Sequence, residues 1–361
     1  MKLSLRLALA TVAVAALASC ASPPPPPPPP LPVAVVPPAA PPPPPVALSG
    51  GVIQAAGAYR LYMRRAGDIS PAFIDGRAVE QSLVAGVGYE PHQFLRGAIA
   101  YGALVALQSP QFVAGVRTYA VDPEGRRSLA AKLLADPNYA QALPSADAAA
   151  GLISAALQAD AARVRHAGEL VKQAAYDVQH QNWSKGEVAD RDGRLANAKV
   201  MSSQPISAPQ EDVARLSSAV NGPGSAGVST LEMVGADPLP APYTAVVSRA
   251  LALAALAALG SANDDAALQP LFEERTGDFC LSMAKLNVYQ CLSVAKPYYE
   301  DVFCLGQHVL LDTAQCVSKA AGGPQLVTVA DAAPPPPAPA PAVKAKAKPR
   351  PKAKAKKTQD D

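Results

Sequence analysis

Cys280, Cys291, Cys304 and Cys316 fall within 37 residues. Thiols this close can bridge, hold a metal or pack as small apolar groups. Helical patterns flank Lys296-Pro297, which reads as a turn, and two nested pairs share a centre near Tyr298. Antiparallel helices about that centre bring Cys280 to Cys316 and Cys291 to Cys304. Pairing Cys280 with Cys291 along one helix instead spans roughly 16 Å of rise, far beyond the roughly 4.4–6.8 Å between Cα atoms that a disulfide allows. The interval of 11 residues leaves Cys280 and Cys291 about 20° apart around a helix, whereas the interval of 12 leaves Cys304 and Cys316 about 120° apart. The second helix is therefore expected to kink, fray or cross obliquely. Free core cysteines, or a metal site that includes His308, are the competing readings. No close Cys-x-x-Cys ligand or redox spacing supports the metal.

Other groups carry weaker chemical signals. Glu187, Asp190 and Asp192 before Gly193 approach a calcium loop, but its first and twelfth positions fall on Val188 and Lys199, so a solvated acidic turn is expected. His92, His166, His180 and His308 lie on separate elements, and no nucleophile elbow, zinc-protease helix or phosphate loop is present. Asp177 three residues before His180 reads as a surface ion pair. Tyr298, Tyr299, Glu300 and Asp301 form either a polar aromatic contact site or, as favoured, the cap of the second hairpin helix. No catalytic residue, metal or cofactor is assigned.

Lys2 and Arg6 precede an apolar stretch from Leu7 to Leu17 that is too short to span a bilayer, and Leu17-Ala18-Ser19-Cys20 follows. This leader resembles the export signal of bacterial lipoproteins. The resemblance covers about twenty residues and implies cleavage before Cys20, lipidation of Cys20 and a membrane anchor without a protein span. Ala21 after the cysteine points, by the same resemblance, to the outer membrane. Export also places the four distal cysteines in an oxidising compartment, where an even count argues for two disulfides. The pair arrangement resembles the twin-cysteine helical hairpins of small oxidised proteins, with longer intervals.

Of 39 prolines, 16 occupy residues 23–45 and 8 occupy 334–351, leaving 15 for the 286 residues from Val46 to Asp331. The first cluster reads as a polyproline II spacer reaching about 70 Å. The second passes into Lys344, Lys346, Lys348, Arg350, Lys352, Lys354, Lys356 and Lys357, a segment that cannot bury a core and is expected to be extended. It is similar in composition to the Pro/Lys spacers of envelope energy-coupling proteins. The whole chain carries +3; the leader holds +2 and the tail +6, so the middle holds −5. An acidic body thus bears a basic tail. The tail reads either as a solvated, solubilising segment or as a contact for peptidoglycan or another anionic envelope polymer, and nucleic acid is disfavoured.

The middle reads as all-α. Ser70-Pro71, Ser109-Pro110, Asp122-Pro123 and Asp136-Pro137 each join an N-cap to proline at the first helical position. Helices are expected over 93–107, 111–121 and 124–135, with Ala98, Gly102 and Ala106 as a small-residue stripe for close packing. From Ser145 to about Trp183, the residues Ile153, Leu157, Asp160, Val164, Ala167, Val171, Ala174 and Val178 recur at coiled-coil spacing. Asp160 interrupts that seam, either to set register or as a solvated gap. Residues 243–259 are apolar nearly all round and read as a buried core helix despite Arg249.

These readings divide the chain into a signal peptide (1–19), a lipidated spacer (20–47), a helical domain (48–200), a loop or linker (201–242), a helical segment with the cysteine hairpin (243–323) and a disordered basic tail (324–361). The expected fold is a multi-helix bundle with a disulfide-stapled C-terminal hairpin. The expected role is a lipid-anchored tether or scaffold in the cell envelope, more in keeping with a structural protein than an enzyme. The alternatives are a periplasmic enzyme acting on the cell wall, or a binding or assembly module for another envelope protein.

Overall fold

The structure, a computed structural model, describes residues 42–220 and 236–323. Cys20, the leader, most of the proline spacer and the lysine tail lie outside the described residues. Among the described residues the regular elements are helices, with no strand. The first seven are α1 (Gly50–Gly67), α2 (Gly76–Val87), α3 (Pro91–Ala106), α4 (Pro110–Arg117), α5 (Pro123–Ala135), α6 (Ala146–Val178) and α7 (Asn182–Lys185). They are followed by α8 (Arg191–Ser203), α9 (Gln210–Ala219), α10 (Ala245–Ala258), α11 (Asp265–Leu268), α12 (Arg275–Val294), α13 (Tyr298–Cys304) and α14 (Asp312–Ala320).

Helices α3, α6 and α10 form the centre, with α1 laid across α3 and α6. In α10 every residue from Val246 to Ala258 is buried except Arg249, whose guanidinium reaches out to the Pro270 carbonyl at 3.1 Å. The small-residue stripe does what its spacing implies: a Cβ on Gly102 would stand 2.9 Å from the Ala250 Cβ and 3.1 Å from Ile153, so α10 and α6 both approach there. All eight seam positions of α6 are buried. Their partner is no single helix, however. Helix α6 packs against α1, α3, α10, α13, α14 and the stretch Leu305–Leu311 between the last two, and it ends at Val178, with Trp183 on the short α7.

Asp160 is buried and paired, so it is not a solvated gap. Its carboxylate pairs with Arg60 of α1, whose guanidinium also lies 4.9 Å from the Tyr101 ring centroid. Burial pushes the Asp160 carboxyl up, opposed by Arg60. Removing either partner would strand the other charge in the core.

Two of the four Ser/Asp-Pro starts open α-helices, capped by Ser109 and Asp122. The other two correct the expectation. Ser70 accepts only from the Ala72 amide in a local turn, and α2 opens farther on at Asp75, which accepts from the Ala78 amide at 2.8 Å. Asp136-Pro137 opens a 3₁₀ stretch, Pro137–Ala142, cut short as the chain approaches Pro144.

The domain boundaries also shift. Within 201–242, read as a loop or linker, α9 packs on α1. The helices before and after that segment share one hydrophobic core. The body begins before residue 48: the Ala47 amide donates to the Ala257 carbonyl, the Ser49 amide donates to Ala262, and Arg117 binds the Pro44 and Ala258 carbonyls. Gly260, at φ +69°, admits this segment, since a Cβ there would lie 2.6 Å from the Pro44 Cβ.

Both nested disulfides are formed, Cys280–Cys316 and Cys291–Cys304, each with Cα atoms 5.7 Å apart. The second hairpin helix does not fray to reach them. Between α13 and α14 the chain continues as a π-helix, Leu305–Leu311. A π turn holds about 4.4 residues, so each advances by roughly 80° in place of 100°. Over this stretch the smaller step offsets the 120° mismatch to within about 20°, leaving Cys304 and Cys316 on one face. The wider turn also shortens the rise to roughly that of the 11-residue interval on α12. One extra residue is thereby absorbed without breaking the hairpin. Gly306 lets this stretch lie directly on α6, because a Cβ would fall 2.5 Å from the Lys172 amide nitrogen.

Candidate functional site

The four residues after the hairpin turn organise the most developed site. Pro297 ends the turn and α13 begins at Tyr298. Glu300 reaches back to accept from the Lys296 amide at 2.8 Å, which ties down the turn; α13 itself opens from Pro297 with no side-chain cap bond, so the expected cap is not formed. Asp301 points the other way and is wholly buried against Arg194 of α8. Arg194 also donates to the Leu292 carbonyl and, at 3.4 Å, to the Ala295 carbonyl. Arg191 adds bonds of 2.9 Å to Ala295 and 3.0 Å to Ser293. Two arginines therefore satisfy the carbonyls that the end of α12 leaves open, where the helix dipole favours cations. The acidic segment before α8 completes the clamp: the Val188 amide donates to Lys296, the Tyr298 amide donates to Gly186, and Asp190 caps α8 through the Gly193 amide. This is what the calcium-like sequence does; among the described residues no His, Cys, Asp and Glu cluster is arranged to hold a metal.

Burial pushes the Asp301 carboxyl up to about 6, against the pull of Arg194. The side chains of Arg194 and Asp301 are 5% and 0% exposed. An acid so enclosed and so paired clamps helices; it does not meet a diffusing substrate.

On the outer side of α13 the same turn opens a cavity of about 410 Å³ between α6 and the end of α12. Its walls carry Tyr176, Tyr299 and Phe303, its floor Ala175, Ala295 and the Cys291–Cys304 bridge, and its polar groups are Gln179 and Glu300. Tyr176 and Phe303 meet edge to face with centroids 6.3 Å apart. Lys172 lies 5.6 Å from the Phe303 centroid and donates to Gln307 at 2.7 Å. The volume and lining suit a ligand with an apolar body and one or two polar anchors. A second cavity of about 320 Å³ lies between α2 and α8, bordered by Glu80, Val87, Asp190, Arg194 and Asn197.

A buried amine stands near the end of α2. Lys285 of α12 donates to the Val87 carbonyl and, at 3.4 Å, meets Ser202, with its nitrogen 3.3 Å from the Tyr89 ring centroid. Burial drives its pKa well down, with Glu90 opposing. Tyr89 in turn is hydrogen-bonded to Thr313 at 2.9 Å.

The sequence-derived residues divide plainly. Of Tyr298–Asp301, Tyr299 and Glu300 border the cavity, Glu300 also holds the Lys296 amide, and Asp301 turns inward to Arg194. His308 pairs with Asp312 at 3.0 Å, and the cysteines beside it are consumed in disulfides. Asp177 accepts from Gln173 at 3.0 Å, where His180 was the expected partner. Cys20 and the cationic residues from Lys344 to Lys357 lie outside the described residues. Sequence reasoning missed Arg194, Tyr176 and Lys285. Of these, Lys285 had a signal, since it falls among Leu281, Ala284, Val288 and Leu292 on the buried face of α12.

Along the opposite face of α12, Phe279, Met283, Leu286 and Val294 are exposed, the first to 66% and the last to 72%. Comparison with protein-family models, curated proteins and solved structures finds no match to this chain.

Proposed function

We propose that the chain is a lipid-anchored protein of the cell envelope, outer membrane favoured, which holds a rigid helical body away from the bilayer as a tether or scaffold. The observation that carries this reading is the pair of nested disulfides, Cys280–Cys316 and Cys291–Cys304, in a chain whose residues 1–20, ending in Leu17-Ala18-Ser19-Cys20, resemble the export signal of bacterial lipoproteins. Bridges of this kind persist in compartments outside the reducing cytosol. The lipid at Cys20 supplies the anchor, residues 21–41 the arm, and the lysines beyond residue 343 a contact for an anionic envelope polymer such as peptidoglycan. The two carboxylates most altered by burial, Asp160 and Asp301, are each neutralised by an arginine inside the core. That arrangement supports a mechanical role over acid–base catalysis.

Mass analysis of the mature protein tests the anchor: an acylated N-terminus at Cys20, abolished by Cys20→Ser, is expected. An unprocessed chain in the cytosol refutes it. Binding to purified cell-wall sacculi with and without residues 344–357 tests the polymer contact, which fails if both forms bind equally and salt has no effect. A second reading, an assembly module for another envelope protein, draws on the apolar face of α12 beside the hairpin. A photocrosslinking side chain at position 286 in intact cells should then capture one discrete partner; its absence, with a lipid-anchored protein present, removes this reading.

A further inference from the structure

Two features remain without a use: an acidic body with an aromatic cavity, and a basic tail in which proline stands among lysines. Tyr176, Tyr299 and Phe303 present ring faces and edges of the kind on which proline rings in polyproline II conformation stack. Glu300 spends one carboxylate oxygen on the Lys296 amide, and among the described residues no other bond is made to its second. No cationic side chain is among the residues lining the cavity; Lys172 approaches Phe303 but is engaged by Gln307. An apolar, aromatic slot with one free carboxylate oxygen suits a segment in which proline stands next to lysine or arginine. The chain contains such a segment, Lys348-Pro349-Arg350-Pro351-Lys352.

The geometry of exit agrees. Gly323, the last described residue, lies against the N-terminal half of α6, since a Cβ there would come 3.1 Å from the Gln158 side chain. Gln158 and Tyr176 are separated along α6 by about 27 Å at roughly 1.5 Å per residue. The 25 residues from Gly323 to Lys348, which include Pro334–Pro337, can reach up to about 78 Å at roughly 3.1 Å per residue, more than that separation requires. A linker long enough to span the gap makes seating of the tethered segment an intramolecular event.

We propose that the cavity between α6, α12 and α13 is the seat of the chain's own tail, with Pro349 and Pro351 on the aromatic walls and a neighbouring lysine or arginine on Glu300. The tail so held is withdrawn from any other anionic partner, and a polyanion competes for it. This goes beyond the tethering role and is independent of it, because the seat forms in the purified protein.

The test uses the full chain carrying Cys20→Ser, with an acceptor dye on Ala353→Cys. Trp183, the single tryptophan, is the donor; it lies one turn beyond Gln179 and 6.5 Å from Tyr298 between ring centroids. Energy transfer should be strong, constant over a hundredfold dilution, and reduced by half or more when a peptide of residues 343–352 is added in excess. Glu300→Gln keeps the bond to the Lys296 amide while removing the charge, and should weaken seating about threefold to fivefold. Tyr176→Ser should weaken it about tenfold. Circular dichroism and intact disulfides certify that each variant is folded. If Tyr176→Ser fails to fold, Glu300→Gln alone decides. Transfer unchanged in the folded variants overturns the proposal, and so does transfer that falls on dilution, which assigns the contact to a second copy.

Discussion

Gly306→Ala is the sharpest test of how the hairpin sits on the body. In most helices glycine to alanine stabilises, by about 1 kcal/mol, because the unfolded chain loses less freedom. At Gly306 the added Cβ would meet the Lys172 amide nitrogen at 2.5 Å, its Cα at 2.8 Å and its Cβ at 3.0 Å. The first two are backbone atoms of α6, so no rotamer change relieves them, and the π-helix must lift by nearly an ångström. Overpacking of this kind costs about 1–3 kcal/mol. At about 2–4 °C of melting temperature per kcal/mol for a body this size, the loss is roughly 2–12 °C. Calorimetry of the oxidised protein measures it directly. Two other glycines calibrate the result. Gly168→Ala meets only Leu311 and Leu310 side-chain atoms at 2.9–3.0 Å and should cost less, while Gly50→Ala meets nothing within 4 Å and should be neutral or stabilising. A Gly306→Ala protein that melts with or above Gly50→Ala would refute the direct packing of the π-helix on α6.

Asp301 titrates at about 6 when folded, above its ordinary value of 3.8. A raised acid contributes stability that is fully present below the unfolded value and lost as pH rises through the folded one. Unfolding free energy should therefore fall by about 3 kcal/mol on this account between roughly pH 4 and 6; chemical denaturation of Asp301→Asn should lack that slope, and an identical slope would contradict the assignment. Lys285, lowered by burial, acts in the opposite sense: its contribution rises with pH from its folded pKa toward the ordinary lysine range. Lys285→Met should raise stability by about 1–2 kcal/mol at neutral pH and flatten the alkaline rise, measured in the same titrations. Deleting His308 gives Cys304 and Cys316 the α-helical phase that the π-helix now supplies, so peptide mapping should find both native disulfides. Deleting Ser282 instead turns Cys280 by about 100° from Cys291 and should cost one native bridge.

Much of this molecule is written in short-range signals. Ser109-Pro110 and Asp122-Pro123 start helices because cap and proline act within one turn. The cysteine pairing follows from symmetry about a turn, and the buried face of α6 from a repeat that any partner would satisfy. The bond from the Lys296 amide to Glu300 is equally local. Each of these features depends on neighbours in sequence, which is why it can be read there.

What the tertiary structure alone decided depends on atoms far apart in the chain. Ser70-Pro71 carries the same local signal as Ser109-Pro110, yet Asp75 starts the helix, with Ile69 and Phe73 drawn into the core on either side of the false start. The phase error between Cys304 and Cys316 is visible in the spacing, but its solution required a surface on α6 bare enough for Gly306 to touch. Arg60 for Asp160, Arg194 for Asp301 and the Val87 carbonyl for Lys285 stand 100, 107 and 198 residues away from their partners. A charge on an apolar face announces that it needs a partner; only the packed chain, by bringing distant helices within a few ångströms, determines which one.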